Sequence, residues 1–126
     1  MINKYKLQYF MRKNVLSPLL TWTIPKEIRK DYGLTWYNKP SKRHRKWDTD
    51  YALAWDILLS IREFRKHNTM SCPTEFEEIE DWHKVLIQME VAFAMIIKGD
   101  NFTKGQNEII AEGRELFHKY FFDLWD

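Results

Sequence analysis

This 126-residue chain contains two acid–histidine pairs at helical spacing, and these residues could bind metal ions. Glu80 with His83 and Glu115 with His118 each read Glu-x-x-His, the spacing by which some helical bundles hold two metal ions. A shared metal site needs all its ligands to point inward, whereas the apolar periodicity places Glu80 and Glu115 opposite the apolar faces of their helices. The sequence therefore favours ordinary solvated helix faces over a metal centre, and it predicts no cofactor.

A second acidic pattern, Glu-x-x-Glu, occurs at Glu77/Glu80 and at Glu112/Glu115. Carboxylates of this kind, together with substrate phosphates, hold Mg²⁺ in all-α nucleotide hydrolases. The further downstream acidic pair that such enzymes need has no convincing counterpart in this chain. Cys72 precedes a proline, and no neighbouring residue in the sequence would activate its thiol. The patterns keep a metal-dependent nucleotide hydrolase as an alternative, but they favour binding over catalysis.

The basic run SKRHRK at residues 41–46 is the strongest candidate for a binding site. Its cations could contact phosphates, while neighbouring tryptophans act as stacking or packing anchors. The predicted ligand-binding residues are Trp36, Lys42, Arg43, Arg45, Lys46 and Trp47. The competing interpretation is a solvated loop whose charges pair with acidic helices.

The two parts of the chain carry opposite charge. Residues 1–47 contain 12 Lys/Arg against two acidic residues, a net of +10, whereas residues 48–126 contain 8 Lys/Arg against 16 Asp/Glu, a net of −8. A basic arm on an acidic body is typical of proteins that bind anions. The arm could equally fold back onto the acidic body.

The elements that must position these residues are predicted to be helices. We expect an all-α fold, a three-helix antiparallel bundle with a proline-interrupted, aromatic-rich basic N-terminal arm packed on it. The chain forms a single domain, in which residues 1–47 are the arm and residues 48–126 the bundle. Pro18, Pro25 and Pro40 restrict the arm to short helices around residues 3–13 and 26–31, with turns and extended pieces elsewhere.

The three bundle helices follow from caps and apolar periodicity. The first begins at Asp48 or Thr49 and runs to about residue 67. A Thr74–Glu77 capping box begins the second. The third starts near residues 104–107 and runs to the end, and its Gly113 is expected to admit a bulky neighbour such as Trp82. The stripe of the second helix consists of Ile79, Trp82, Leu86, Met89, Phe93 and Ile96.

Composition indicates a soluble protein that acts inside a cell. Hydrophobic residues make up 44% of the chain and aromatic residues 16%, which excludes disorder as a description of the whole. No apolar run is long enough to span a bilayer, and the N-terminus lacks the apolar stretch of a signal peptide. The single cysteine excludes an internal disulfide and indicates a reducing compartment.

Two segments carry a resemblance to a known group of proteins. Residues 42–54, KRHRKWDTDYALA, run from a basic segment through Trp and Asp into a helix, and residues 112–126, EGRELFHKYFFDLWD, close on Leu-Trp-Asp. From about residue 36 onward the chain resembles a widespread family of small bacteriophage-encoded proteins without assigned activity. It departs from them by lacking the Gly that often precedes the residue equivalent to Trp47, so the local turn is expected to differ. The resemblance implies a phage origin and carries over no catalytic residue.

Together the patterns predict a phage accessory protein that binds without catalysis in the host cytoplasm. Its partner is either an anionic ligand, nucleic acid or a signalling nucleotide, or a host protein that it inhibits, and counter-defence is a role of this kind. The alternative is a structural or assembly protein of the phage particle, for which self-association through opposite charges would serve. No membrane partner is expected.

Overall fold

The computed structural model describes residues 26–99 and 102–125, which form helices and connecting turns and no strand. The helices are α1 (Lys26–Tyr32), α2 (Lys42–Trp47), α3 (Thr49–His67), α4 (Ile79–Lys98) and α5 (Lys104–Lys119), with 3₁₀ turns at Trp36–Asn38 and Phe121–Asp123. None of these helices has both the length and the apolar character needed to cross a membrane. The predicted all-α class is confirmed. The three-helix bundle with a packed arm stays a prediction, and the helix expected at residues 3–13 lies outside the described residues.

The chain divides into two compact units, Met1–Ala52 and Leu53–Asp126. In the first unit, α1 confirms the short helix expected around residues 26–31. It ends at Gly33, whose φ of 66° suits a residue without a side chain. Ile28 and Leu34 on either side of this glycine are fully buried.

Helix α3 has the predicted bounds, and one side of it is buried. It ends at His67 as expected, and Ala54, Leu58 and Ile61 are buried. Leu53 is 51% exposed, whereas Arg62 is buried. The buried side of α3 is therefore mostly apolar and includes one arginine.

Helix α4 confirms the apolar stripe and corrects its starting point. Trp82, Leu86 and Met89 of the stripe are fully buried. The helix begins at Ile79 behind Glu78, which makes no side-chain cap, so the predicted Thr74–Glu77 capping box is wrong. Thr74 lies instead in a turn closed by the Phe76 amide, which donates to the Pro73 carbonyl at 3.0 Å. Helix α4 ends at Lys98 and is capped by Gly99, whose φ is 71°.

Helix α5 starts with a reciprocal cap. The Thr103 hydroxyl accepts from the Gln106 amide at 3.2 Å, and the Gln106 side chain accepts from the Thr103 amide at 2.9 Å. The helix ends at Lys119 and is followed by a 3₁₀ turn, so the expectation that it continues to the end of the chain is wrong.

Gly113 permits close approach of α5 to α4. A methyl group at this position would lie 2.2 Å from Cβ of Ala92 and 2.9 Å from the Gln88 carbonyl oxygen. The neighbours that require glycine are therefore the Ala92 methyl group and the Gln88 carbonyl of α4, and the prediction of Trp82 is wrong.

All three long helices, or the segments next to them, contribute to one apolar cluster of the second unit. Its buried members are Ile61, Trp82, Leu86, Met89 and Tyr120. The Trp82 and Tyr120 rings meet edge to face with centroids 5.3 Å apart, and Phe76 lies 5.7 Å from each. Aromatic pairs in this geometry add to the stabilisation from burial.

Candidate anion-binding helix

The predicted basic run forms a capped helix, α2. The Ser41 hydroxyl accepts from the His44 amide, and the Ser41 amide donates to Nδ1 of His44 at 3.1 Å. This is a capping box in which histidine takes the usual place of Glu or Gln. The expectation of turns or extended chain at this position is wrong, because two local hydrogen bonds begin a helix directly after Pro40.

His44 also anchors α2 from its inner side. Its ring lies 5.0 Å from the Tyr51 ring, and the Tyr51 hydroxyl donates to the Asn38 carbonyl. Asn38 in turn accepts from the Thr35 amide at 2.9 Å. These contacts all lie within the first unit, and they fix which side of α2 turns inward.

The remaining residues of α2 are exposed. They are Lys42, Arg43, Arg45, Lys46 and Trp47. Trp47 is 75% exposed, which contradicts a role as a packing anchor and leaves its stacking role as a prediction. Arg43, Lys46 and Trp47 are spaced i, i+3 and i+4 and therefore share one helix face.

The structure thus places five of the six predicted ligand-binding residues on one short helix. Trp36 belongs to the preceding 3₁₀ turn, and its side chain lies outside the described residues. No acidic residue occupies the first turn of α2, and its last turn carries Arg45 and Lys46. Like charges three and four positions apart repel each other by about 0.2–0.5 kcal/mol per pair. The four cations Lys42, Arg43, Arg45 and Lys46 concentrate positive charge on this one helix.

The acid–histidine pairs do not form a shared site. Glu80, Glu115 and His118 are exposed, whereas Nε2 of half-buried His83 lies 3.0 Å from both the carbonyl and the side-chain oxygen of Asn68. His83 therefore donates to Asn68 and ties α4 to the turn after α3. Among residues 26–99 and 102–125, no three His, Cys, Asp or Glu side chains are grouped as metal ligands would be.

Among the described residues, the Glu-x-x-Glu pairs and Cys72 do not form a shared site either. Glu77 precedes α4 and is exposed, so it does not share a helix face with Glu80. Glu112 is exposed on α5. The half-buried Cys72 thiol points at the Phe76 carbonyl, 3.7 Å away.

A buried ion group on α3 and α4 was missed by the sequence reasoning. Glu90 is fully buried, and its carboxylate accepts from Arg62 at 3.5 Å and from Arg65 in two contacts, one of them 3.2 Å long. The sequence did contain a signal for this ion group, because Glu90 is the only acidic residue between Asp81 and Asp100 in a strongly apolar segment. A carboxylate in such a place needs cationic partners, and buried Arg62 and half-buried Arg65 supply them.

Comparison with known proteins found no matching family model, curated protein or solved structure. The resemblance of residues 42–54 and 112–126 to small phage proteins therefore stays a prediction. The geometry of α2 is what supports a function.

Proposed function

We propose that this protein is a phage accessory protein that binds an anionic ligand through α2 without catalysis, in the cytoplasm of the infected cell. The observation that carries the proposal is Trp47, which is 75% exposed next to Arg43 and Lys46 on the same helix face. An indole in water beside cations suits a ligand that offers both a negative charge and a flat ring.

Nucleic acid with unpaired bases fits these features best. Phosphates would lie against Arg43, Arg45 and Lys46, and a base would stack on Trp47. A duplex hides the faces of its bases, so it would use the cations but not the indole. A free nucleotide offers the same two groups at smaller size. The scaffold that we propose is the three-helix bundle with the basic arm packed on it.

Fluorescence anisotropy of a labelled single-stranded oligonucleotide tests the proposal. With about three phosphates contacted, the slope of log affinity against log salt concentration is about −2, which lowers affinity about 20-fold between 50 and 200 mM salt. Trp47→Ala should weaken binding about 5–150-fold, the equivalent of about 1–3 kcal/mol of stacking. The Arg43→Ala/Arg45→Ala variant should bind more weakly and show a shallower salt slope.

A matched variant separates the α2 site from overall charge. Lys98→Ala/Lys104→Ala also removes two exposed positive charges, but at the ends of α4 and α5. It should bind like the wild type. Equal losses in both double variants would refute a site on α2, and equal affinity for duplex and single strand would refute stacking on Trp47.

A further inference from the structure

An open apolar groove lies between α3 and the C-terminal segment of the second unit. Its volume is about 300 Å³, near the lower end of the range for small-molecule sites. The groove is lined by Ile57, Ile61, Phe64, Phe117, Phe121 and Leu124, with Asp56 and Ser60 at its edge. The size suits a few apolar side chains of a larger partner.

Exposed aromatic rings extend this groove along the C-terminal segment. Phe117, Phe121 and Phe122 stack edge to face in sequence, with centroids 5.6 and 5.3 Å apart. Phe121 is 52% exposed, Phe122 87% and Trp125 68%. The Ser71 hydroxyl donates to the Trp125 carbonyl at 3.3 Å, which ties the backbone of this segment to the turn before α4. Contiguous exposed apolar surface next to a groove is a common feature of interaction sites.

The negative charge around the groove favours a partner that carries positive charge. On α3, Leu53, Ile57 and Phe64 form the outward apolar stripe, and Asp56 and Glu63 follow one edge of it. The Glu63 carboxylate also contacts Nε2 of exposed His67 at 2.8 Å. Residues 53–126 carry 14 Asp/Glu against 8 Lys/Arg, a net of −6. A partner must therefore bring apolar side chains with positive charge beside them.

We infer that this groove binds a cationic amphipathic helix of a partner protein. The groove runs between helical elements and presents side chains, so a helix fits it by inserting apolar residues spaced i, i+3 or i+4. Basic residues on the flanks of that helix face Asp56 and Glu63. This surface uses only residues of the second unit, so it is a function additional to anion binding at α2.

Isothermal titration of the full chain with two designed peptides tests the inference. One is a Leu/Lys amphipathic helix of about four turns, and the other has the same pattern with Glu in place of Lys. The Leu/Lys peptide should bind at least about tenfold more tightly than the Leu/Glu peptide. Equal affinity for the two peptides would overturn the charge selection and the proposal with it.

Two exposed residues supply the variants, Phe121 in the groove and Leu53 on the apolar stripe of α3. Leu53→Ser and Phe121→Ser should each weaken Leu/Lys binding at least about tenfold. Ile87→Ser, which changes a residue 41% exposed on α4 outside the groove, should leave it unchanged. Because all three side chains are substantially exposed, circular dichroism should show that each variant keeps its helices.

A charge reversal and the oligomeric state complete the test. Glu63→Lys should weaken Leu/Lys binding, whereas Glu108→Lys, a charge reversal at an exposed position of α5, should not. Groove variants that bind normally would overturn the proposal. A dimer in analytical ultracentrifugation that Phe121→Ser dissociates would assign the groove to a second copy and would also overturn it.

Discussion

Replacing Gly113 by alanine should destabilise the protein although alanine favours helix. The added methyl would lie 2.2 Å from Cβ of Ala92 and 2.9 Å from the Gln88 carbonyl oxygen. Carbon atoms in contact are normally about 3.5–4.0 Å apart, so α4 and α5 must separate by more than about 1 Å. Neither neighbouring atom can move by a change of rotamer, since one is a backbone oxygen and the other an alanine Cβ.

The expected change in the free energy of unfolding is the sum of two opposing contributions. Alanine in place of glycine within a helix gains about 1 kcal/mol. Overpacking costs about 1–3 kcal/mol, and the depth of this overlap puts Gly113 at the upper end, about 3 kcal/mol. The free energy of unfolding should therefore fall by about 2 kcal/mol, which urea unfolding followed by tryptophan fluorescence can measure.

Gly105→Ala is the matched control on the same helix. Its added methyl has no nearer neighbour than the Thr103 hydroxyl, at 4.0 Å, so the helix preference should appear alone, as a gain of up to about 1 kcal/mol. Comparing Gly113→Ala with Gly105→Ala therefore separates the cost of overpacking from the gain in helix propensity.

The exchange Ala92→Gly/Gly113→Ala keeps the composition and removes the closest contact. The double variant should be more stable than the sum of the two single changes predicts, by about 1 kcal/mol or more. The contact of the new methyl with Gln88 remains, so recovery is partial. A Gly113→Ala variant as stable as the wild type would refute the close approach of α4 and α5, and so would additive effects in the cycle.

Two further predictions concern buried ionisable groups. Glu90→Gln leaves the Arg62 and Arg65 charges without their carboxylate, so the free energy of unfolding measured in urea should fall by about 3–5 kcal/mol. The control Glu63→Gln, at an exposed site, should lower it by about 0.5 kcal/mol or less. Equal effects of the two substitutions would contradict the buried ion group. Burial, then a hydrogen bond with Glu75, raises the pKa of Tyr120 above its usual 10.0. Unfolding therefore releases a proton at alkaline pH, stability falls as the pH rises above about 10, and Tyr120→Phe should flatten this fall in pH-dependent urea titrations. An unchanged slope would contradict the perturbed phenol.

Local signals predicted the long helices well. The bounds of α3, the stripe of α4 and the start of α5 follow from side-chain periodicity and from residues next to the helix ends. These signals need only neighbours in sequence, which is why they can be read without a structure. The predicted start of α4 was wrong. Thr74 and Glu77 fit a capping pattern in the sequence, but the chain makes a separate turn there before Ile79.

The candidate site was predicted by residue type but not by conformation. Four cations beside a tryptophan indicated anion binding, whereas the helix that displays them depends on a histidine in a capping position and on its contact with Tyr51. The exposure of Trp47 could not be read from the sequence either, since an aromatic residue beside charges suits both a buried anchor and a stacking surface.

The sequence by itself determined the all-α class, the bounds of α3, the start of α5 and the concentration of positive charge before residue 48. Each depends on composition or on periodicity along the chain. Only the tertiary structure decided that Glu90 is buried between Arg62 and Arg65, that Gly113 lies against Ala92, and that Phe121 extends an apolar groove. Those features join residues on different helices, and the packing that brings them together depends on side-chain shape and on the cost of burying charge.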